Sequence, residues 1–501
     1  MGESGGAPEF GKVRSVLWPI HGFELKKFLP MSILMFCVLF VYTAVRDLKD
    51  IFVQKYAVLG GPELISALKL WFVLPVSFVV AGIFASMVSK LGMKKTFYII
   101  SSFYALFFFI FAFFLFPNRD VIHMNASGIT SMRESWPRFF YYIVPCLGNW
   151  SYSLFYILAE IWGSLAISSL FWFLANQITK KTEVKRFFGL YSLLGNVGTF
   201  IAGSYIYNMS HVKGAAFDGN VKLLSCIAGV FSVATMLTYY YITKVVMTDP
   251  TQYDPSQVVS KKKKKKIGFF DGIKVIATNN YLFLIFLLPI GYGIGMNLYE
   301  GVWKAQMAQT LTNASDYARM QGIVSMATAI MTFVLTFIGA NIMRRTSWKF
   351  SALTTPVLIL GLGLLFFVLM FVKSYGLAYI MGMSVPLVAV WVGLMIDAMG
   401  KGIKYVLFDS TKSMAYIPLD EQTKAYGQAS VELIGGRSGK AGGALITYTL
   451  LNFIAPGSLL LSHTYTMFVL FAIIMVVWIW AVIKLNRSYV EKVKEQELRG
   501  E

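Results

Sequence analysis

The segment GGRSGKAGG, residues 435–443, places two cations, Arg437 and Lys440, three positions apart among glycines inside an apolar stretch. Glycines beside a lysine are typical of phosphate-binding loops, whose template is G-x-x-x-x-G-K-[ST] between a strand and a helix. This segment departs from the template because its glycines stand too close together and Ala441 occupies the position of the metal-binding hydroxyl. We therefore expect the two cations to bind phosphate from a helix rather than from a loop.

Several other ionisable side chains stand in apolar stretches, where each costs roughly 2.5–3.5 kcal/mol on membrane-insertion scales. Arg46, Lys49 and Lys304 lie near the ends of such stretches, where long cationic side chains can simply reach the membrane surface. Glu300 and Lys304 also have the spacing of a local ion pair on one helix turn. Glu160, in YILAEIWG, has apolar or small residues on both sides and neither explanation, so it is a candidate functional residue.

The balance of these charges indicates the kind of substrate. On the stretches that hold them, basic residues exceed acidic ones, which favours a polyanion over a proton or a metal cation. Guanidinium and ammonium groups bind phosphate oxygens well, so a phosphate-bearing substrate fits best. The glycines of GGRSGKAGG then remove bulk, which lets Arg437 and Lys440 reach a ligand and lets a neighbouring helix approach closely.

The elements that must position these residues are membrane helices. The chain has 501 residues, of which 56% are apolar and 14% charged, whereas a soluble protein carries about 25% charged residues. Its apolar runs reach the roughly 20 residues that cross a bilayer as a helix, and they are continuous rather than alternating, which excludes a β-barrel. The sequence predicts an all-α polytopic membrane protein with helices near 30–45, 66–88, 96–117, 150–176, 188–209, 222–246, 281–303, 320–343, 352–372, 377–400, 426–455 and 460–483.

These twelve helices divide into two six-helix halves, the arrangement of major-facilitator-like transporters. The expected segments are an N-terminal segment (1–29), a first half (30–246), a basic linker (247–280) that contains the run Lys261–Lys266, a second half (281–484) and a tail (485–501). Most of the 45 lysines and arginines then fall on the side of both termini, which the positive-inside rule assigns to the cytoplasm. In this interpretation the lysine run fixes topology, and no nucleic-acid partner is expected.

The remaining chemistry-bearing residues indicate neither a metal site nor a catalytic centre. The three cysteines are scattered in apolar surroundings, and the four histidines stand alone, without ligand spacing such as H-E-x-x-H. The sequence also lacks a recognisable Ser/His or His/Asp constellation. We expect no cofactor, no metal ion and no enzymatic activity.

Long motifs are spread over nearly the whole chain, namely LWPIHGFELKKFLP, RDLKD, YILAEIWGSL, FWFLANQITK, VMTDPTQYDP, EGVWKAQ, KYVLFDSTKSMAYIPLD and GGRSGKAGG. In these motifs, their order and their spacing the chain resembles the nucleotide transporter family, the ATP/ADP translocases of obligate intracellular bacteria and plastids. This resemblance implies a multi-pass protein of a bacterial inner (plasma) membrane that exchanges external ATP for internal ADP by alternating access, with or without inorganic phosphate and without hydrolysis. We expect a monomer in the lipid bilayer with both termini in the cytoplasm.

The resemblance also implies that four matched charges are important for transport: Lys49, Glu160, Glu300 and Lys440. From the residues themselves we add a second set, chosen for charge, polarity or an aromatic ring: Arg46, Lys404 and Arg437 for phosphate, Asn176 for a polar contact, and Tyr156 or Trp162 for stacking on adenine. We expect Lys49 and Lys440, one from each half, to clamp the phosphates. We expect Glu160 and Glu300 to pair with basic residues across the halves when the cavity is empty.

Two departures from the family pattern leave other functions open. Ala441 stands where many members have serine, and Leu48 stands where threonine is common. A proton-coupled importer, or a transporter of broader range that accepts other nucleoside triphosphates or NAD, is therefore an alternative within the family. A membrane enzyme acting on nucleotide or lipid phosphate and a bare anion channel are alternatives from other classes.

Overall fold

The computed structural model of the protein describes residues 11, 14, 18–180, 182–254, 269–380 and 382–499. The run Lys261–Lys266 lies outside the described residues, and so does the side chain of Arg437. The described chain is almost entirely helical, with a short antiparallel strand pair, β1 (Tyr379–Ile380) and β2 (Met383–Ser384).

Among the residues that the structure describes, twelve long helices form the body of the protein. They are α1 (Leu25–Ile51), α2 (62–91), α3 (93–115), α4 (Trp150–Ile178), α5 (Val184–Met209), α6 (Ala215–Tyr241), α7 (Asn280–Thr310), α8 (Ala314–Arg345), α9 (Trp348–Ser374), α10 (Val385–Met414), α11 (Glu421–Thr449) and α12 (Thr464–Arg499). Helices α2 and α3 form one helical run that bends at Gly92, whose φ of 76° lies in the left-handed region that glycine tolerates.

Ten helical spans among the described residues are long and apolar enough to cross a membrane. The continuous run of α2 and α3 counts as one of these ten spans. Helix α11 is long enough but too polar to be counted among them. Its sequence explains this, since α11 contains GGRSGKAGG and further polar residues. The most polar helix of the bundle is thus the one that carries the candidate phosphate-binding cations.

The helices extend beyond their predicted limits because the prediction followed apolar residues, whereas the helices continue through polar residues at their ends. Helix α1 begins at Leu25 rather than at residue 30, and α12 continues to Arg499, so the predicted tail 485–501 starts inside a helix. The prediction of the tenth helix at 377–400 is wrong at both ends. Helix α10 spans Val385–Met414, and the strand pair occupies the residues before it.

Helices α1–α6 form one half and α7–α12 the other, as the sequence predicts. The halves meet where α5 packs on α8 and where α2 packs on α11. At the first contact the backbones approach closely, since a Cβ on Gly203 would lie 2.9 Å from the carbonyl oxygen of Gly322. Small residues at such crossings let membrane helices pack tightly.

Hydrogen bonds between the halves cluster toward the end of the bundle opposite the termini, which we call the distal end. The ammonium group of Lys55 donates to the carbonyl oxygen of Ala308, 2.7 Å away, near the C-terminal end of α7. The amide of Gln54 donates to the hydroxyl of Tyr317 at 2.6 Å. Two further bonds of this kind join Glu63 to the backbone N–H of Leu460 and Tyr142 to the carbonyl oxygen of Ser458.

At the end that carries the termini, the strongest polar contacts join helices of the same half. Buried Lys27 on α1 lies 2.6 Å from a carboxylate oxygen of Glu183, at the start of α5. On the other half, the indole of Trp348 on α9 donates to the carbonyl oxygen of Thr411 on α10. These polar contacts between the halves thus lie toward the distal end, whereas those named at the other end lie within each half.

Candidate functional site: a charged cluster between the halves

Six ionisable side chains meet where the halves join, and we call them the interface cluster: Lys49 and Asp50 of α1, Lys69 of α2, Glu160 of α4, and Glu300 and Lys304 of α7. The surrounding helices are apolar, so each charge must be compensated inside the protein. The cluster holds three cations and three carboxylates and is neutral as a whole. The surplus of positive charge expected from the sequence is therefore not found within this cluster.

Lys49 is surrounded by groups that compensate its charge. Its Nζ lies 3.0 Å from Asp50 Oδ1 and 3.0 Å from Glu160 Oε1. It also lies 4.0 Å from the centre of the Tyr156 ring, a cation–π contact. Because two carboxylates and an aromatic face already hold this ammonium group, it is not open to a phosphate in this state.

One pair of the cluster crosses between the halves. The Nζ of Lys304 on α7 lies 2.9 Å from Asp50 Oδ2 on α1, but 4.0 Å from Glu300 Oε2 on its own helix. The sequence predicts that Glu160 and Glu300 pair with basic residues of the opposite half. The ion pairs described here do not have this arrangement. Each of them contacts a lysine of its own half, and Asp50 forms the cross-half contact.

Lys69 joins the cluster from α2. Its Nζ donates to Asn297 Oδ1 on α7, 2.7 Å away, so its hydrogen-bond partner across the halves is a neutral amide. Within the part of the chain that the structure describes, no carboxylate oxygen lies within 4.0 Å of this ammonium group. The sequence signal was a single lysine in the apolar segment ISALKLWFVL, and the site residues predicted from the sequence did not include it.

Wide π turns adjoin several of these residues. Lys69 lies inside the π segment Leu68–Val73, and the segment Gly163–Phe171 begins three residues after Glu160. Such turns are often found at functional sites. They also rotate the following side chains relative to a regular 3.6-residue helix, so the sequence spacing alone could not predict which side chains would meet.

The glycines of α11 face α7. A Cβ on Gly439 would lie 2.8 Å from the carbonyl oxygen of Pro289 and 3.0 Å from the Cα of Gly293, and one on Gly443 would lie 2.5 Å from Asn297. The prediction that these glycines let a neighbouring helix approach closely is confirmed. Lys440 follows Gly439 in the middle of α11, and its side chain is exposed. It interacts electrostatically with Glu160 and Glu300.

Gly439→Ala is expected to push α7 and α11 apart and to destabilise the protein by about 1–3 kcal/mol, the usual cost of overpacking. Thermal unfolding in detergent measures this effect. Gly436→Ala is the matched control three residues earlier, because no atom lies within 4 Å of the Cβ that it adds. Equal unfolding temperatures for the two variants would contradict the close contact as a determinant of stability.

Arg46 and Lys404, predicted as phosphate-binding residues, are both engaged in ion pairs. The guanidinium of Arg46 bonds to Asp47 at 3.0 Å and to the Ser325 hydroxyl of the other half at 2.7 Å. Lys404 bonds to Asp409 at 3.0 Å, and both residues are partly exposed. Their role in phosphate binding stays a prediction, and that of Arg437 cannot be followed because its side chain lies outside the described residues.

The polar and aromatic residues predicted on α4 have other contacts in this state. The side-chain amide of Asn176 donates to the carbonyl oxygen of Trp172, one turn earlier in the same helix. Trp162 is buried in the first half, where it packs edge-on against Tyr104 and donates to the carbonyl oxygen of Val38. Tyr156 is also fully buried, with Lys49 above its ring. Neither ring has an exposed face, and adenine stacking on either of them stays a prediction.

A small pocket with a cavity volume of about 30 Å³ lies beside the cluster, between α2, α7 and α11. The residues that line it include Ser66, Lys69, Asn297, Glu300, Lys304 and Gly443. Two ammonium groups and one carboxylate thus face the same space, one cation from each half. The pocket combines positive charge with the small residues of α11 and suits an anionic group of a ligand.

Two six-helix halves with ion pairs and a charged pocket at their interface define a membrane transporter of the alternating-access kind. The chain belongs to the TLC ATP/ADP transporter family, whose family model matches residues 4–489. The resemblance seen in the sequence is confirmed.

Relatives of the chain match it over nearly its full length. A protein named ADP,ATP carrier protein 1 from Rickettsia bellii is 40% identical over 483 residues, which cover 95% of this chain and 96% of the relative. The protein of the same name from Rickettsia prowazekii is 38% identical, with 97% of this chain and 98% of the relative covered. That from Chlamydia trachomatis is 37% identical, with 98% and 94% covered.

Solved structures of other transporters share the fold. A bacterial homologue of the iron transporter ferroportin, in an inward-facing state, superposes with a TM-score of 0.55 over 94% of this chain and 99% of its own, at 13% identity. A transporter of the POT family superposes with a TM-score of 0.55 over 91% and 96% of the two chains, at 12% identity. At these identities the likeness concerns the fold alone, and it confirms the predicted class of helical membrane protein.

Proposed function

We propose that the protein exchanges ATP for ADP across the bacterial inner membrane by alternating access, without hydrolysing either nucleotide. Its family supports this function, as do the names of its relatives. The observation that carries the proposal is the convergence of ammonium groups from both halves, Lys69 from α2 with Lys304 from α7, on one pocket, with Lys440 on the neighbouring α11. A phosphate chain bound there would bridge the two halves.

In this proposal Lys69 and Lys440 clamp the phosphates, one from each half. Lys69 takes the place that the sequence assigned to Lys49, because Lys49 is already compensated by Asp50 and Glu160. Lys69 has a neutral partner, so a phosphate oxygen would supply the charge that it lacks in the empty protein. Lys440 is exposed in the middle of α11 and interacts electrostatically with Glu160 and Glu300.

The proposed orientation places both termini in the cytoplasm. Many described lysines and arginines lie at the end of the bundle that carries the termini, among them Lys94, Lys95, Lys180, Arg345, Lys349, Lys424, Arg487 and Lys492. Positive charges favour the cytoplasmic side of bacterial membranes. The distal end is then external, and the cavity between the halves opens to the cytoplasm. The protein is proposed to act as a monomer.

Uptake of labelled ATP into proteoliposomes tests the proposed exchange. We expect uptake into vesicles loaded with ADP to exceed uptake into empty vesicles by at least about tenfold, because the empty protein returns slowly through its closed states. Labelled ATP incubated with the detergent-purified protein should yield no ADP. Uptake that requires no internal nucleotide would contradict an exchanger.

The same vesicles separate the alternatives. A pH gradient across empty vesicles should not drive ATP uptake, whereas it would drive a proton-coupled importer. Competition by GTP, CTP, UTP and NAD defines the range of substrates, and we expect ADP to compete best. Labelled phosphate added with and without ADP tests whether inorganic phosphate travels with ADP.

A further inference from the structure

Asp50 holds a position that no other member of the interface cluster shares. It lies in the last turn of α1 with 2% of its surface exposed. One carboxylate oxygen lies 3.0 Å from Lys49 of its own helix, and the other lies 2.9 Å from Lys304 of the opposite half. The amide of Gln321, on α8, approaches the second oxygen at 3.5 Å. Asp50 therefore joins ammonium groups of both halves through a single carboxylate, and we call this contact the Asp50 bridge.

The other two carboxylates of the cluster do not join the halves in this way. Glu160 pairs with Lys49 inside the first half, and Glu300 approaches Lys304 inside the second half. Their side chains are 20% and 19% exposed, whereas that of Asp50 is 3% exposed. Displacement of either glutamate would leave the halves joined, and displacement of Asp50 would separate Lys304 from the first half.

The charge balance of the cluster links this bridge to the substrate. Three lysines and three carboxylates compensate one another when the pocket is empty. A nucleotide brings several negative charges, so its phosphates must replace carboxylates as partners of the lysines. Lys304 lines the pocket, and a phosphate that binds it competes directly with Asp50. In the empty protein, separation of the halves at the distal end would break the 2.9 Å contact between Asp50 and Lys304 and leave each charge with one partner fewer in an apolar interior, which is unfavourable.

We propose that the Asp50 bridge makes ATP uptake depend on internal nucleotide. It holds the external end closed while the pocket is empty, and a bound phosphate releases it by replacing Asp50 at Lys304. The empty protein then cannot open to the outside, so each outward opening requires a bound nucleotide. This inference rests on the proposed exchange of nucleotides, and it assigns to Asp50 a positioning role rather than a contact with the substrate.

The accessibility of a single cysteine from outside tests the bridge without any transport assay. Ser66 lines the pocket and is 5% exposed, so Ser66→Cys, in a chain whose Cys37, Cys146 and Cys226 are replaced by alanine, reports opening of the external end. The sample is right-side-out membrane vesicles washed free of nucleotide, and the probe is a membrane-impermeant maleimide. We expect Asp50→Asn to raise the labelling rate by about tenfold or more, the effect of losing a charged hydrogen bond. In the parent, ADP enclosed in the vesicles should raise the rate, because the empty pocket is open to the inside.

Asp397→Asn is the matched control. Asp397 is as deeply buried as Asp50, at 1% exposed, and its 2.7 Å ion pair is with Lys401 of its own helix. Labelling in this variant should equal that of the parent. If both variants are labelled faster by the same factor, loss of a buried carboxylate merely loosens the bundle, and the proposal is overturned. It is also overturned if Asp50→Asn and the parent are labelled at the same rate.

A second variant and a second measurement keep the inference separate from the proposed function. Lys304→Gln breaks the bridge from the other half. If Asp50→Asn does not give a monodisperse protein, the labelling rate of Lys304→Gln tests the proposal in its place. Uptake of labelled ATP into vesicles that contain no nucleotide should be about tenfold faster for Asp50→Asn than for the parent, because this uptake requires the empty protein to open to the outside. If the parent exchanges no nucleotide but both bridge variants are labelled faster, the bridge stands and the proposed substrate falls.

Discussion

Lys440→Ala is expected to abolish ATP/ADP exchange in proteoliposomes and to weaken ATP binding by about tenfold or more, because a hydrogen bond to a charged group contributes about 1.5–3 kcal/mol. The side chain is exposed in the middle of α11, so its removal should leave the fold intact. Calorimetric titration of the detergent-purified variant with ATP measures the affinity. An unfolding temperature equal to that of the parent shows that the loss is one of binding.

Two controls sharpen this prediction. Lys440→Arg keeps the positive charge and should retain part of the affinity, although the planar guanidinium does not reproduce the compact ammonium group. Lys484→Ala removes another exposed lysine, on α12, whose side chain lies over Trp480 far from the cluster. It should exchange nucleotides like the parent. Near-normal ATP affinity in Lys440→Ala would show that the phosphates bind elsewhere.

The sequence predicted the helices and the family because both depend on patterns that are local along the chain. Runs of apolar residues identify membrane helices, and long motifs such as KYVLFDSTKSMAYIPLD identify relatives. The helix ends were predicted less well, since polar residues continue the helices past the apolar runs. The glycine face of α11 was also predictable, because its small residues recur every four positions at 435, 439 and 443.

The pairing of charges was not predictable, because it depends on how helices cross. Lys49 and Asp50 are neighbours in sequence and would normally point to different faces of a helix, yet both enter the same cluster. Glu160 was correctly placed among the charged residues, but its partner is in its own half. Lys69 was overlooked as a site residue because a lone lysine in a helix lacks a sequence partner, and Asn297 lies 228 residues further on.

The contrast between Lys69 and Lys49 gives the final prediction. Lys69→Gln is expected to weaken ATP binding by about tenfold or more while leaving stability nearly unchanged. Its hydrogen-bond partner is the neutral Asn297, and glutamine keeps a donor for that amide, so no direct ion pair of the cluster is broken. Lys49→Gln should do the reverse. It leaves Asp50 and Glu160 without a cation that lies 3.0 Å from each, and breaking such buried pairs costs about 3–5 kcal/mol.

Thermal unfolding and ATP titration of the same two purified variants test this contrast. We expect Lys49→Gln to unfold at a clearly lower temperature than the parent, and the double variant Lys49→Gln with Glu160→Gln to recover part of the loss, because one uncompensated carboxylate is then removed. Lys69→Gln should unfold near the parent temperature. The prediction is contradicted if Lys69→Gln binds ATP normally while Lys49→Gln is stable but binds no ATP. In that case Lys49 leaves its carboxylates when the nucleotide binds, and the first half holds the phosphates through α1 rather than α2.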